Sequence, residues 1–240
     1  MLSALTADLT KQTQAQTLFI KPYLDQTSVV DYQLGLALPF TPVSPYYIDF
    51  SAGKLGYRLL HEHSLQNDFF RALSIKSGMR PRILDCHAGL GRDSLLMAAA
   101  GCQVQSVEHH PLLYLAVSDA LRRARAGTSR IATHCERLDL QFADARQALQ
   151  QASSDNFDVV YLDPMFPERK KSAQVKREAQ LLQHYCGADE GAEDLLQLAL
   201  TQGFRRICVK RPAHAPSLGG RQADLQYKGK STRYDVYLST

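Results

Sequence analysis

The chain has 240 residues, 45% of them hydrophobic and 22% charged, which suffices to bury a full core. No apolar run approaches the roughly 20 residues that cross a bilayer, and the first residues show no basic segment leading into an apolar one, so neither a membrane span nor a secretory signal is expected. Five scattered cysteines without a CxxC pair argue against a disulfide frame and a zinc site, and suit reduced thiols in a cytoplasmic protein.

The net charge of +4 is mild but uneven. Residues 1–160 carry 15 Lys/Arg and 15 Asp/Glu, whereas residues 161–240 carry 13 and 9, so the whole excess lies in the last third. Such a basic apron can attract phosphates, or can simply be a solvated face.

Residues 1–79 read as a small β-rich N-terminal lobe. "DYQLGLALPF" and "PYYIDFSAGKLGYRLL" look like short strands broken by Pro and Gly, and "SLQNDFFRALSI" like one helix entering the core. Residues 80–240 alternate strand and helix. "RILDC" is a buried strand, followed by a glycine turn and the helical "RDSLLMAAAG". "CQVQSVE" is a second strand, and "HPLLYLAVSDALRRARA" a helix with Pro111 in its first turn and a basic tail. "LDLQFAD" and "FDVVYLD" are the third and fourth strands, the latter apolar throughout, as a strand covered on both faces should be. "VKREAQLLQHYCG" and "AEDLLQLALTQG" are helices that stop at glycines, "RRICVKRP" is a fifth strand, and "ADLQYKGKSTRYDVYLS" forms two strands around a Gly turn. This alternation predicts an α/β, doubly wound Rossmann-like sheet with an antiparallel finish.

In such a sheet ligands bind beyond the carboxyl ends of the strands. "LDCHAGLGRDS" ends the first strand with Asp85. Gly89 and Gly91 then allow a tight turn and a close approach of backbone to ligand. Glu108 ends the second strand, where a carboxylate can accept both hydroxyls of a ribose. The turn is near the dinucleotide fingerprint, which keeps NAD open. Asp85 would repel a pyrophosphate and suits a cofactor with an amino group, which favours S-adenosylmethionine; a tight turn with no ligand is the third reading. Asp144, at the tip of the third strand, can accept from an adenine amine, cap the following helix, or do both, and the N–H of Ala145 can reach a ring nitrogen.

"YLDPMFPERKKSAQVKRE" follows the fourth strand. An exocyclic amine on a nucleobase is a poor nucleophile because its lone pair is delocalised. Acceptors that hold its hydrogens turn that lone pair toward an incoming methyl. Asp163 offers a carboxylate, Pro164 fixes a backbone carbonyl, and Phe166 offers a face on which a flipped base can stack. These three are the candidate catalytic residues, against the alternative of a turn carrying a buried Phe. Arg169, Lys170, Lys171, Lys176 and Arg177 would meet the nucleic-acid backbone, with Lys210 and Arg211 on the same edge.

Together "LDCHAGLGRDS", "LDPMFPERKKSAQVKRE" and "VKRP" resemble the bacterial guanine-N2 methyltransferases that modify a guanosine near the 3′ end of 16S rRNA in the small ribosomal subunit. The likeness runs from Tyr47–Phe50 to Thr232–Leu238. It implies a class I, S-adenosylmethionine-dependent core whose cofactor site comprises Arg92, Asp93, Glu108, His109, Asp144, Ala145 and Asp163. Cys86 and His87 stand where smaller residues are expected, and Glu168 where a basic or His residue is more usual. Rival readings are an adenine-N6 or protein-glutamine methyltransferase, an NAD-dependent oxidoreductase, and a non-catalytic RNA-binding protein. The eight histidines show no zinc spacing, so no metal is expected. "GKST" lacks the upstream glycine of a phosphate-binding loop and reads as a turn.

Overall fold

The computed structural model describes residues 28–31, 35–38, 46–61, 64–165, 177–186 and 191–239. Its centre is a seven-stranded sheet. The strands are β4 (Ile83–Asp85), β5 (Val104–Glu108), β6 (Leu138–Phe142), β7 (Val159–Leu162), β8 (Arg206–Pro212), β9 (Leu225–Lys228) and β10 (Thr232–Leu238). They lie in the order β6-β5-β4-β7-β8-β10-β9. β10 runs antiparallel to both neighbours, while β4 to β8 pair in parallel. The chain winds outward from β4 through β5 to β6, then returns to lay β7 on the other side of β4. That reversal opens a crevice at the carboxyl ends of β4 and β7.

Strand alternation explains the two-sided core. Ile83, Val159, Tyr161, Cys208 and Val236 enter one buried cluster, and Leu84, Val160, Leu162, Ile207, Val209 and Tyr237 the other. Successive side chains point to opposite faces, so a strand covered twice must be apolar at every position. The first face receives helices α3 (Arg92–Ala99), α4 (Pro111–Arg125) and α5 (Arg130–Cys135); the second receives α6 (Ala145–Gln151) and α8 (Ala192–Thr201). Between them in sequence, α7 (Arg177–Cys186) places Leu181 in the first cluster.

Toward the N-terminus, β1 (Ser28–Asp31), β2 (Gly35–Leu38) and β3 (Tyr46–Tyr47) form a separate antiparallel sheet. They precede helices α1 (Gly53–His61) and α2 (Asp68–Ala72). The stretch from Gly53 is helix where a strand was expected. Its two glycines disguise an amphipathic turn in which Leu55, Gly56 and Leu59 share the buried face. Gly56 is required because a Cβ there would collide with the Ser51 carbonyl. The short α5 was not foreseen; six residues carry too little periodicity. Leu38, Ile48, Phe50, Leu59 and Phe70 share one cluster with Leu95, Met97, Leu113 and Val117, so the N-terminal elements pack on the α3/α4 face. Asp119, fully buried on α4, ties them down. It accepts the Leu36 N–H at 2.9 Å and holds Arg122 and Arg123 at 2.8 and 2.9 Å.

Candidate active site

A cavity of about 480 Å³ opens at the carboxyl ends of β4, β5, β7 and β8. Its floor is the turn after β4. That loop is pinned from both sides: Cys86 N–H donates to Tyr161 O at 3.0 Å, and Ala88 N–H to Val107 O at 3.0 Å. The turn then hands over to α3, with Gly91 at the N-cap in the left-handed region (φ 72°).

Asp85 lies beneath this floor and not on the cavity wall, contrary to its expected contact with a cofactor amino group. It is 1% exposed and spends its oxygens on the turn. Oδ1 accepts the His87 N–H at 3.1 Å, and Oδ2 accepts the Ser94 and Ser106 hydroxyls at 2.5 and 3.3 Å. Burial raises its pKa to about 6 against the pull of these bonds. The two glycines also divide. Gly89 lines the cavity, and a Cβ on it would lie 3.5 Å from Leu182. Gly91 faces inward, and its Cβ would meet Val117 at 3.0 Å and Phe50 at 3.3 Å. The expectation that Gly91 meets the cofactor is therefore corrected: the helix cap turns it into the core.

Glu108 is on the wall and 4% exposed. Gly89 N–H donates to its Oε2 at 2.9 Å and His110 N–H to its Oε1 at 2.7 Å. Each oxygen keeps a second lone pair for a ribose hydroxyl. Burial raises its pKa, against the bonds from His110 and Gly89. Its neighbour His109 is exposed, with Nδ1 at 3.6 Å from Oε1. Glu108→Ala is expected to weaken cofactor binding by about 1.5–3 kcal/mol, the scale of charge-assisted hydrogen bonds. The carboxylate is the binding form, so wild-type affinity should fall as the pH is lowered through the raised pKa. Calorimetry against pH checks both; a flat profile and an unchanged Kd would remove Glu108 from the ribose.

Asp144 does cap α6, with Oδ1 accepting from Arg146 N and Gln147 N at 2.9 and 3.1 Å, and it lines the cavity together with Ala145. Arg92 and Asp93 also line it. Arg92 pairs with Glu178 of α7, and Glu178 in turn accepts from the Tyr46 hydroxyl at 3.2 Å.

Asp163 leaves the end of β7 on the opposite wall, beside Met165, while Pro164 is buried. Its backbone N–H donates to His87 Nδ1 at 3.3 Å. Lys210 of β8 donates to Asp163 Oδ2 at 2.8 Å and to Asp93 Oδ2 at 2.7 Å. Lys210 was expected at a nucleic-acid edge; strand alternation instead puts it on the Cys208 side, where it lines the cavity between two acids. Arg211 was expected at the same edge. It points to the opposite face, is 5% exposed and donates to Pro216 O. Phe166, Arg169, Lys170, Lys171 and Lys176 lie outside the described residues, and of Arg177 only the place at the start of α7 is described.

Glu178 and Leu182 were missed as cavity residues, because only the tertiary fold brings α7 over the turn; His87, noted in the sequence only as an unusual residue of that turn, lines the cavity too. Lys210 did carry a signal: a lysine inside an otherwise buried strand needs an acid partner. Among the described residues no group of three or more His, Cys, Asp or Glu is placed to hold a metal, and no helix is long and apolar enough to cross a membrane.

The family of SAM-dependent methyltransferases matches residues 22–239. A ribosomal RNA small subunit methyltransferase J from Thioalkalivibrio sulfidiphilus is 40% identical over 209 residues, 86% of this chain and 80% of the relative. Proteins of the same name from Cellvibrio japonicus and Dechloromonas aromatica are 38% and 39% identical over 89% and 88% of this chain, and 81% and 86% of their own lengths. This chain belongs to that methyltransferase family. A crystal structure of a SAM-dependent methyltransferase from Neisseria gonorrhoeae superposes with a TM-score of 0.64 at 27% identity, covering 95% of this chain and 92% of that one.

The methyltransferase uses S-adenosylmethionine, and the cavity fits it. Asp93, Glu108, Asp144, Asp163 and Glu178 outnumber the cations Arg92, Arg146 and Lys210 on the described wall, which suits a sulfonium and an amino group and disfavours a pyrophosphate. Leu90, Val107, Leu182 and Leu195 add apolar surface for a purine ring.

Proposed function

We propose that this methyltransferase moves a methyl group to the exocyclic N2 of a guanine in the 16S rRNA of the small ribosomal subunit. The observation that carries the reading is the position of Asp163. It is an acceptor carboxylate on the wall opposite Glu108, with Oδ2 held by Lys210 and Oδ1 without a hydrogen-bond partner among the described residues, so that it can meet an amine. The names of the relatives at 38–40% identity support the choice of RNA.

Glu108 holds the ribose, and Asp144 with Ala145 meets the adenine edge. When bound, S-adenosylmethionine supplies an electrophilic methyl on a positively charged sulfur. Asp163 accepts a hydrogen of the guanine amine and turns the nitrogen lone pair toward that methyl. Asp163 or water would then take the extra proton of the amine once the amine has accepted the methyl that the bound cofactor would supply. No base with an unusual pKa is required. Positioning and exclusion of water supply the acceleration.

Phe166 as the stacking platform and the cluster Arg169, Lys170, Lys171, Lys176 and Arg177 as backbone contacts complete the proposal from the sequence. Replacing Lys170, Lys171 and Lys176 with Ala should weaken RNA binding and flatten its salt dependence, by up to about 0.7 in slope for each phosphate no longer neutralised on a single strand. Cofactor affinity should stay the same. An unaltered slope would return the cluster to a solvated face.

The deciding experiment is methyl transfer to rRNA from cells lacking the protein, with the product nucleoside identified by mass and mapped. N2-methylguanosine is expected. N6-methyladenosine, or methylation of protein only, would overturn the base assignment.

A further inference from the structure

Lys210 is the cation of a compact network. Its Nζ lies 2.8 Å from Asp163 Oδ2 and 2.7 Å from Asp93 Oδ2, and the Tyr161 hydroxyl donates to the same Asp93 oxygen at 2.7 Å. The members come from different elements: Lys210 from β8, Asp93 from the first turn of α3, Tyr161 from β7 and Asp163 from the loop beyond it. A lysine withdrawn from water is costly unless paired. Here one ammonium stands between two carboxylates, and a fully buried phenol completes the second.

We propose that Lys210 is a positioning residue for methyl transfer: it clamps one oxygen of Asp163 and ties it to Asp93, so that the other oxygen is presented to the base amine. The inference rests on Asp163 being the amine acceptor, as proposed above. The clamp has a second point, since the Asp163 N–H is held by His87 Nδ1. Backbone and carboxylate are thus both fixed before substrate arrives, which is what preorganisation requires.

The groups facing Asp163 set the sign of the test. Lys210 favours its ionised form and Asp93 opposes it; His87, from the loop after β4, adds to the pull of Lys210 only when its ring is protonated, a form in which Nδ1 no longer accepts the Asp163 N–H. Tyr161 beside it and Tyr234 of β10 are both held neutral, chiefly by burial. Arg58 of α1 acts on Asp93. Burial already raises the Asp163 pKa, with Lys210 pulling the other way. For Lys210 itself, burial opposes the charge, but the fields and bonds of Asp163 and Asp93 outweigh it and raise its pKa well above the ordinary value. Without the ammonium, two carboxylates would face each other and one would take up a proton. A protonated Asp163 presents a donor where the amine needs an acceptor.

The test compares the wild type, Lys210→Met and Lys210→Arg in methyl transfer to unmodified rRNA across pH, with cofactor binding, thermal stability and an NMR titration of isotope-labelled aspartate carboxyls. Lys210→Met should lower kcat by up to ~10²-fold, the scale of misplacing a reacting group by about 1 Å. The acid limb of its kcat profile should move to higher pH, so that raising the pH restores part of the rate, and the Asp163 resonance should titrate higher. Lys210→Arg should recover part of both. A folded Lys210→Met with wild-type kcat, an unmoved profile and an unmoved Asp163 titration would overturn the proposal. If Lys210→Met does not fold, Asp93→Asn replaces it: removing the like charge should lower the Asp163 titration, and no movement would overturn the coupling. A wild type that methylates no nucleobase amine would sink the assignment of substrate, while the NMR titration would still decide whether Lys210 holds Asp163.

Discussion

Asp163→Ala is expected to cut turnover by at least ~10²-fold, the scale of losing one preorganised polar group at a reacting centre. The carboxylate lines the cavity and is held by Lys210 at 2.8 Å, so its removal deletes the proposed amine acceptor and leaves Lys210 paired with Asp93 alone. Cofactor affinity should fall as well, because Asp163 shares the cofactor wall. Asp163→Asn keeps one acceptor oxygen but loses the charge, and should lie between wild type and Ala. Single-turnover methyl transfer with saturating RNA and cofactor separates the chemical step from binding. If Asp163→Ala bound cofactor less tightly yet transferred methyl at the wild-type rate once saturated, Asp163 would be a cofactor ligand and not the amine acceptor.

The second large effect concerns the two glycines of the turn, which should fail in different ways. Gly91→Val should unfold the protein before it disturbs binding. The left-handed backbone costs a branched residue about 1–3 kcal/mol, and forcing methyls against Val117 and Phe50 adds about 1–3 more, so a loss of roughly 2–6 kcal/mol is expected. Gly89→Ala incurs the backbone cost alone, because its Cβ finds ordinary contact with Leu182 at 3.5 Å. That methyl stands on the cavity wall, so Gly89→Ala should stay folded and bind cofactor more weakly. Denaturant midpoints and calorimetry on both variants read the split. A Gly91→Val protein with wild-type stability and no cofactor affinity would put Gly91 back on the cavity.

Much of the fold was legible because its signals are local. Unbroken apolar strands such as Val159–Leu162, glycine stops and Pro111 at a helix start each follow from backbone geometry within a few residues. The family resemblance rested on contiguous motifs and pointed to Glu108, Asp144 and Asp163, which the structure gathers around one cavity. Where two local rules competed, the sequence misled. Two glycines and the preceding aromatics Tyr46, Tyr47 and Phe50 made Gly53–His61 look extended, yet burial of one helical face decided the matter.

Residue type and spacing alone determined that this chain builds a doubly wound sheet with acids at the tips of its strands. Tertiary structure decided which way those side chains point. Asp85 and Glu108 both end strands, but Ser94 and Ser106 draw Asp85 inward, while two backbone N–H groups hold Glu108 on the wall. Lys210 and Arg211 are adjacent cations, but the pleat sends one between two carboxylates and the other to the Pro216 carbonyl on the far face. Partners such as Asp93 and Lys210 lie far apart in sequence and on different elements. Only the tertiary fold, which sets the first turn of α3 within reach of Tyr161 on β7 and Lys210 on β8, brings their charges within bonding distance, and no one-dimensional pattern records that proximity.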